Sequence, residues 1–245
     1  MNPAEYDRMF SLEDEYWWFV GRRNLALRLL GTPSSKAVLD LGCGTGAVLS
    51  ELRRSLSPVG VDMSQQALAY CRQRGADQVL LARGEHLPLC SSSFSATVAL
   101  DIFEHIDEDV LALKECFRVL EPGGVLILSV PALRGLWGPH DEALMHFRRY
   151  TAREVRKKLE NAGFEIHRLS YSVFFLFPIV AIIRFFEKRR KGPAKASLPA
   201  LPGWANRSLI WLQNCEAAII QRCPLPWGSS VIAVARKPVS VQTAT

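Results

Sequence analysis

Four short stretches carry the residues that could do chemistry. The first is Asp40-Leu41-Gly42-Cys43-Gly44-Thr45-Gly46, where an aspartate closes an apolar run and glycine recurs at every second position. Only glycine lets a backbone turn this tightly and lie flat against a ligand. A helix opening at Ala47 would present free N–H groups and the positive end of its dipole to that ligand. The second stretch, Val59-Gly60-Val61-Asp62-Met63-Ser64, ends a strand-like run in a carboxylate that can accept from both hydroxyls of a ribose. Together these two read as a site for a nucleotide-like cofactor. The third stretch, Asp101-Ile102-Phe103-Glu104-His105, and the fourth, around His140 and His146, supply acids and bases.

The glycine spacing alone leaves two cofactors open. Gly42-x-Gly44-x-x-Ala47, with Asp62 twenty positions beyond Gly42, also satisfies the loose dinucleotide fingerprint. Three features favour S-adenosylmethionine over NAD. Asp40 stands where a pyrophosphate would meet a buried negative charge, which suits instead a cationic, phosphate-free cofactor with an amino group. The third glycine is at 46, and no Tyr-x-x-x-Lys occurs in the chain.

Four blocks in order resemble the class I S-adenosylmethionine-dependent methyltransferases of the methyltransferase type 11 kind. They are Val38 to Gly46, Val59 to Ser64, Ala99 to Ile106, and Arg118-Val119-Leu120-Glu121-Pro122-Gly123-Gly124. The resemblance covers about residues 36 to 171 and a last strand at 230–237. It implies an α/β fold: a Rossmann-like, doubly wound, mostly parallel seven-stranded sheet with helices on both faces. It also implies that S-adenosyl-L-methionine, leaving as S-adenosyl-L-homocysteine, contacts Asp40, Gly42, Cys43, Gly44, Gly46, Asp62, Met63, Gly84, Glu85, Asp101 and Ile102. The sequence departs from the pattern at one point. The acid that usually meets the adenine amino group falls at position 83, which is arginine; the Gly84 N–H remains for a ring nitrogen. The catalytic candidates are Glu104, His105, His140 and His146. Asp101-x-x-Glu104-His105 also resembles the metal-binding Glu-x-x-Glu-His of quinone-pathway O-methyltransferases, with Asp for the first Glu. Glu-His here usually packs or caps the helix, and the reading adopted is that no metal is held.

Alternating elements must position these residues. Between 36 and 130, strand and helix signals alternate, which implies a parallel sheet with ligands at the carboxyl ends of its strands. Ser64 caps one helix and Gly75 ends it, and Thr151 with Glu154 makes a capping box for another. Gln78 to Ala82, Val125 to Val130, Phe164 to Tyr171 and Ser230 to Arg236 read as strands. Residues 131–150 form a long loop leaving the ligand end of the sheet. Residues 1–30 read as helical around Tyr16-Trp17-Trp18-Phe19, and an arginine at 22 or 23 is a candidate for the carboxylate of the cofactor.

The domain reading has four parts. A helical cap spans 1–35, the methyltransferase core 36–172 with 229–238, an apolar and basic helical insertion 173–228, and a disordered tail 239–245. The insertion opens on an unbroken apolar run, Val173 to Ile183, followed by Lys188-Arg189-Arg190-Lys191 and a linker over 192–203; a second helix spans about 206–222. Eleven apolar residues are too few to cross a bilayer, which takes about 20, but suit an interfacial segment.

The formal charge of +6 is concentrated: residues 151–195 hold eleven Lys/Arg against four Asp/Glu, so the remainder is slightly acidic. That distribution excludes a generally basic, nucleic-acid-coating chain. Six cysteines without C-x-x-C spacing, and no secretory leader pattern, point to the cytoplasm. The expected function is methyl transfer to an O, N or C nucleophile on an apolar, isoprenoid or quinone-like, or lipid-linked methyl acceptor. The enzyme would sit on the inner face of the membrane through 173–191, and nucleic acid is not the expected partner. The alternatives are a small soluble methyl acceptor with the insertion as lid, and a cofactor-binding partner protein without catalysis.

Overall fold

The computed structural model describes residues 3–188 and 198–239. Seven strands form one sheet: β1 (Ala37–Leu41), β2 (Ser57–Asp62), β3 (Val79–Leu81), β4 (Phe94–Leu100), β5 (Leu120–Pro131), β6 (Glu165–Ser172) and β7 (Ser230–Arg236), in the order β3-β2-β1-β4-β5-β7-β6. All pairings are parallel except those of β7, which runs antiparallel to both β5 and β6. The reversal of strand order at β1 and β4 leaves a crevice at their carboxyl ends, the usual ligand position in an open α/β sheet. The fold expected from the resemblance is therefore the one found.

Two cores lie on opposite faces of the sheet. One packs α5 (Asp109–Val119) and α7 (Ala152–Asn161) through Leu113, Cys116, Val155 and Leu159. The other packs α2 (Trp17–Leu30) and α9 (Gly203–Ile220) through Leu25, Ala26, Ala217 and Ile220. α2 and α9 approach closely at Gly21, where a Cβ would lie 2.8 Å from Gln213. A small third cluster joins α3 (Ala47–Leu52) to α4 (Gln65–Gln73). Ser64 accepts from the Ala67 N–H at the start of α4, and the Thr151–Glu154 box opens α7, as their spacing predicts.

Residues 3–30 are helical as expected, with one break. The segment is two helices, α1 (Pro3–Leu12) and α2, with extended backbone at Tyr16 between them. Glu13 and Tyr16 are buried at this break. The break sends α1 over the glycine loop while α2 runs beneath the sheet, which an unbroken helix could not do. The insertion comprises α8 (Phe177–Glu187) and α9. α9 contributes to the core, whereas α8 has no buried residue. Most of the basic run and the linker, at 189–197, and the tail at 240–245 lie outside the described residues.

Candidate functional site

Asp40 lies at the end of β1, 2 % exposed, and its Oδ2 meets no hydrogen-bond partner among the described residues. Burial, with the Asp62 and Glu13 carboxylates nearby, pushes its carboxyl up to about 8. Burial also raises Asp62 and Glu13 above the usual carboxylate range. Gly42, Gly44 and Gly46 follow with φ of 72°, 53° and 93°, a region L-residues rarely adopt. A Cβ on Gly42 would lie 2.6 Å from Ile102, so the loop is pressed against the segment after β4. Asp62, at the end of β2, accepts from the Gly44 N–H at 3.0 Å and the Ser64 N–H at 2.9 Å, which fixes the loop.

These residues fit S-adenosylmethionine. That cofactor brings a sulfonium and an ammonium, two positive charges and no phosphate, to three buried carboxylates of which one oxygen is orphaned. Asp40 would face the cationic methionine part, Asp62 the ribose, and the segment after β3 the adenine. There Glu85 is buried and pairs with Arg83 at 2.7 Å, while the Arg83 side chain is mostly exposed. Burial raises the Glu85 carboxyl, but the Arg83 hydrogen bond outweighs it and holds it below the usual range. The arginine that breaks the family pattern at 83 thus turns outward and leaves an acid two residues on. Cys43 is buried against Cys71, and Met63 is exposed beyond Asp62.

α1 covers this half of the site. Met9 reaches to where a Cβ on Gly44 would stand, 2.8 Å away. Glu13 accepts from the Thr45 hydroxyl, and Phe10 stacks on Tyr70 at 4.2 Å. Tyr6 is buried beside Asp62, its phenol raised to about 12 by burial first and by that carboxylate second. Composition and periodicity gave no sign of Met9 or Glu13 in this role; the only readable signal was the acid preceding the aromatic run.

The other half of the site follows β4 and β5. Asp101 has φ 53°, uncommon for a residue with a side chain, and is held there by Ser129, whose hydroxyl donates to it at 2.9 Å, and by an ion pair with Arg22. Of five non-glycine residues with positive φ among the described residues, Asp101, Leu133, Met145 and Val173 all lie in the segments after β4, β5 and β6. Such strain persists only where surroundings impose it, and it gathers at functional sites. Glu104 is buried, its Oε2 unpartnered, its carboxyl pushed well up by burial and by Asp101. His105 packs edge-on to His146 with ring centroids 4.6 Å apart. Burial and His146 hold His105 down at about 3; burial and Arg184 do the same to His140.

The loop after β5 is organised by Asp141, one of the polar residues in which that loop is rich but not among the catalytic candidates. It opens α6 (Pro139–Ala143) by accepting from the Gly138 N–H at 3.0 Å, and it accepts from His146 Nδ1 at 3.0 Å and Arg149 Nε at 2.8 Å. Burial would raise its carboxyl, but these partners hold it well below the usual range. The structure therefore brings together Glu104, His105 and His146, whose ligand atoms lie within 4.8 Å of one another, a set that has the composition to hold a divalent ion. His140 lies near His146 and Asp141 but is not a member of that set. Arg22 meets Asp101, whereas Arg23 is buried and donates to the Glu13 carbonyl.

Residues 39–128 match the model of a methyltransferase domain family. A probable S-adenosylmethionine-dependent methyltransferase of Mycolicibacterium smegmatis is 32 % identical over 163 residues, 64 % of this chain and 62 % of that protein. The first curated relatives are thus spanned over less than two thirds of their own length. An S-adenosylmethionine-dependent methyltransferase of Thermotoga maritima shares the fold with a TM-score of 0.62 at 22 % identity, over 96 % of this chain and 95 % of that one. Phosphoethanolamine N-methyltransferase 2 of Haemonchus contortus, solved with S-adenosyl-L-methionine, aligns with a TM-score of 0.58 at 17 % identity, over 88 % of this chain and 52 % of that one.

Proposed function

We propose that the chain, whose residues 39–128 match a methyltransferase domain family, is an S-adenosylmethionine-dependent methyltransferase that acts on an apolar or lipid-linked molecule at a membrane surface. The observation that carries this reading is α8. It turns its apolar residues outward: Ile179, Ile182, Ile183, Phe185 and Phe186 are all exposed and no residue is buried, while Arg184 and Glu187 pair at 3.1 Å on its less exposed side. Its end is tied to the loop after β5, where Lys188 Nζ donates to the Gly135 carbonyl at 2.7 Å. An apolar surface therefore adjoins the half of the site that the cofactor loop does not occupy. Soluble chains rarely expose contiguous apolar patches of this kind.

Among the described residues no helix is long and apolar enough to cross a membrane. An interfacial helix fits instead. Burying one Ile or Phe side chain contributes roughly 1.5–3 kcal/mol, and each basic residue of the Lys188-Arg189-Arg190-Lys191 run contributes about 1 kcal/mol near an anionic leaflet. Methyl transfer is an in-line displacement, so the protein's main task is to hold nucleophile and methyl aligned. The cofactor would supply the electrophilic methyl; Asp40, Asp62 and the glycine loop would hold it, and the segments after β4 and β5 would face the nucleophile.

Co-sedimentation with phosphatidylglycerol vesicles tests the membrane part. The intact chain should sediment, and an Ile182→Asp/Phe186→Asp variant should remain in the supernatant at unchanged melting temperature. Incubation of the chain with labelled S-adenosylmethionine and a cell extract should place label in the organic phase. Equal sedimentation of both proteins, together with label confined to the aqueous phase, would replace this reading with a small soluble methyl acceptor and α8 as lid.

A further inference from the structure

Resting on the proposed methyl transfer, the geometry points to His146 as the general base that takes the proton of a hydroxyl or amine nucleophile, and to Asp141 as the residue that aims it. Asp141 is fully buried and already accepts from the Gly138 N–H and from the Arg149 guanidinium. A carboxylate so held is ionised and can only accept. Its contact with His146 Nδ1 therefore places a hydrogen on Nδ1, and in the neutral ring Nε2 is left as a bare lone pair. This is the arrangement in which a buried carboxylate fixes the tautomer of an imidazole and compensates the charge it acquires.

The other candidates lack that support. His105 is held by the Met145 carbonyl, and although Asp101 favours its protonation, burial and His146 keep it a weak base. His140 lies beside the Arg184 cation, which opposes protonation. Glu104, buried with an unpartnered oxygen, favours its neutral form. The charged and titratable groups around His146 are Asp141 and Arg149 from its own loop, His105 and Glu104 from the segment after β4, and His140 from α6. Only Asp141 offers His146 a direct ion pair among the described residues.

The step balances as follows. A lone pair of the nucleophile X–H forms the X–C bond to the methyl carbon. The C–S bond breaks with its electrons going to sulfur, which becomes a neutral thioether. The X–H proton passes to His146 Nε2, and the imidazolium is neutralised by Asp141.

The tautomer is measurable without any methyl acceptor. Long-range proton–nitrogen NMR of histidine-labelled chain, with His146 assigned from the His146→Gln variant, should show His146 in the Nδ1–H form. Asp141→Asn should move that one ring toward the Nε2–H form. An Nε2–H ring in the unaltered chain, or no change in Asp141→Asn, overturns the assignment of Asp141 whatever the chain methylates. With the extract fraction that accepts label, Asp141→Asn and His146→Gln should each lower kcat about 10²–10⁴-fold with KM and cofactor binding retained. Asp141→Glu should recover part of the loss, and the acid limb of the pH–rate profile should shift in Asp141→Asn. An unshifted limb, or activity abolished by a chelator and restored by a divalent ion, overturns the base role, the latter making His146 a metal ligand. A clean tautomer result with no label in any fraction overturns the proposed methyl transfer instead.

Discussion

Asp40 and Asp141 are both buried aspartates at the carboxyl edge of the sheet, and they are held in opposite states. Asp40 has the Asp62 and Glu13 carboxylates as neighbours, an orphaned oxygen, and a carboxyl pushed up to about 8. Asp141 has an arginine, a histidine and a backbone N–H, and its carboxyl is held down. The contrast extends around each residue. On the β5 side Asp109 takes Lys158 at 2.7 Å and the Tyr150 hydroxyl at 2.8 Å, and Glu216 takes the N–H groups of Val173, Phe174 and Phe175. Around the glycine loop Glu13 pairs with Arg74 at 3.0 Å, while Asp40 keeps an orphaned oxygen that a cationic ligand would partner. Beyond β5 and β6 these anions are compensated within the chain and serve as scaffold, whereas Glu104, after β4, keeps an unpartnered oxygen as Asp40 does.

The comparison is broken most severely by removing a compensated carboxylate. Asp141→Ala leaves Arg149 and His146 buried without their partner and should cost about 3–5 kcal/mol in urea unfolding. A cost below about 1 kcal/mol would mean that the Asp141 network is no scaffold.

Removing the uncompensated carboxylate should act the other way. Asp40→Asn should weaken S-adenosylmethionine binding by about 10- to 150-fold, the equivalent of about 1.5–3 kcal/mol, while leaving the cofactor-free chain as stable or more so. The pH dependence carries a definite sign. The folded carboxyl at about 8 stands above its reference of 3.8, so the native state binds the extra proton. The contribution of Asp40 is full below about pH 4 and lost as pH rises through about 8, and Asp40→Asn should flatten the stability profile over that window. Calorimetry for binding and thermal melts from pH 4 to 8 check both; an unchanged profile would show that Asp40 is ionised in the folded chain.

The smallest effect belongs to an exposed pair on the same edge. Arg134 meets Glu154 across the surface, with three quarters of the arginine side chain exposed. Arg134→Ala should change stability by less than about 1 kcal/mol, and 0.5 M salt should erase the difference. A larger cost would place the loop after β5 in the scaffold more firmly than its burial suggests.

What was legible in the sequence follows from what is local. The glycine loop, the strand-end aspartates, the Ser64 cap, the Thr151–Glu154 box and the span of β7 are each written in a few adjacent residues, and each stands where spacing puts it. The break between α1 and α2 was not legible, because Glu13 is bound by Thr45, 32 residues later. Nor was Asp141, one acid among several in a loop, whose partners become partners only when the chain folds back on itself. His105 drew notice as part of a recognisable block, whereas burial and its neighbours weaken it as a base. Arg83 looked like a lost contact because a motif position was read alone, without the acid two residues on.

The place of β7 bears on the order in which the protein comes into being. It is the last strand in the chain, yet it lies between β5 and β6 and pairs with both. A nascent chain can therefore assemble β1 to β5, and with them the cofactor loop, while β5 and β6 still have no neighbour to join them. Two open strand edges wait for the final segment, and such edges invite pairing with other chains. The strands around the glycine loop can thus assemble before β7 is made, and the β5–β6 side closes only when Ser230–Arg236 slides into the gap.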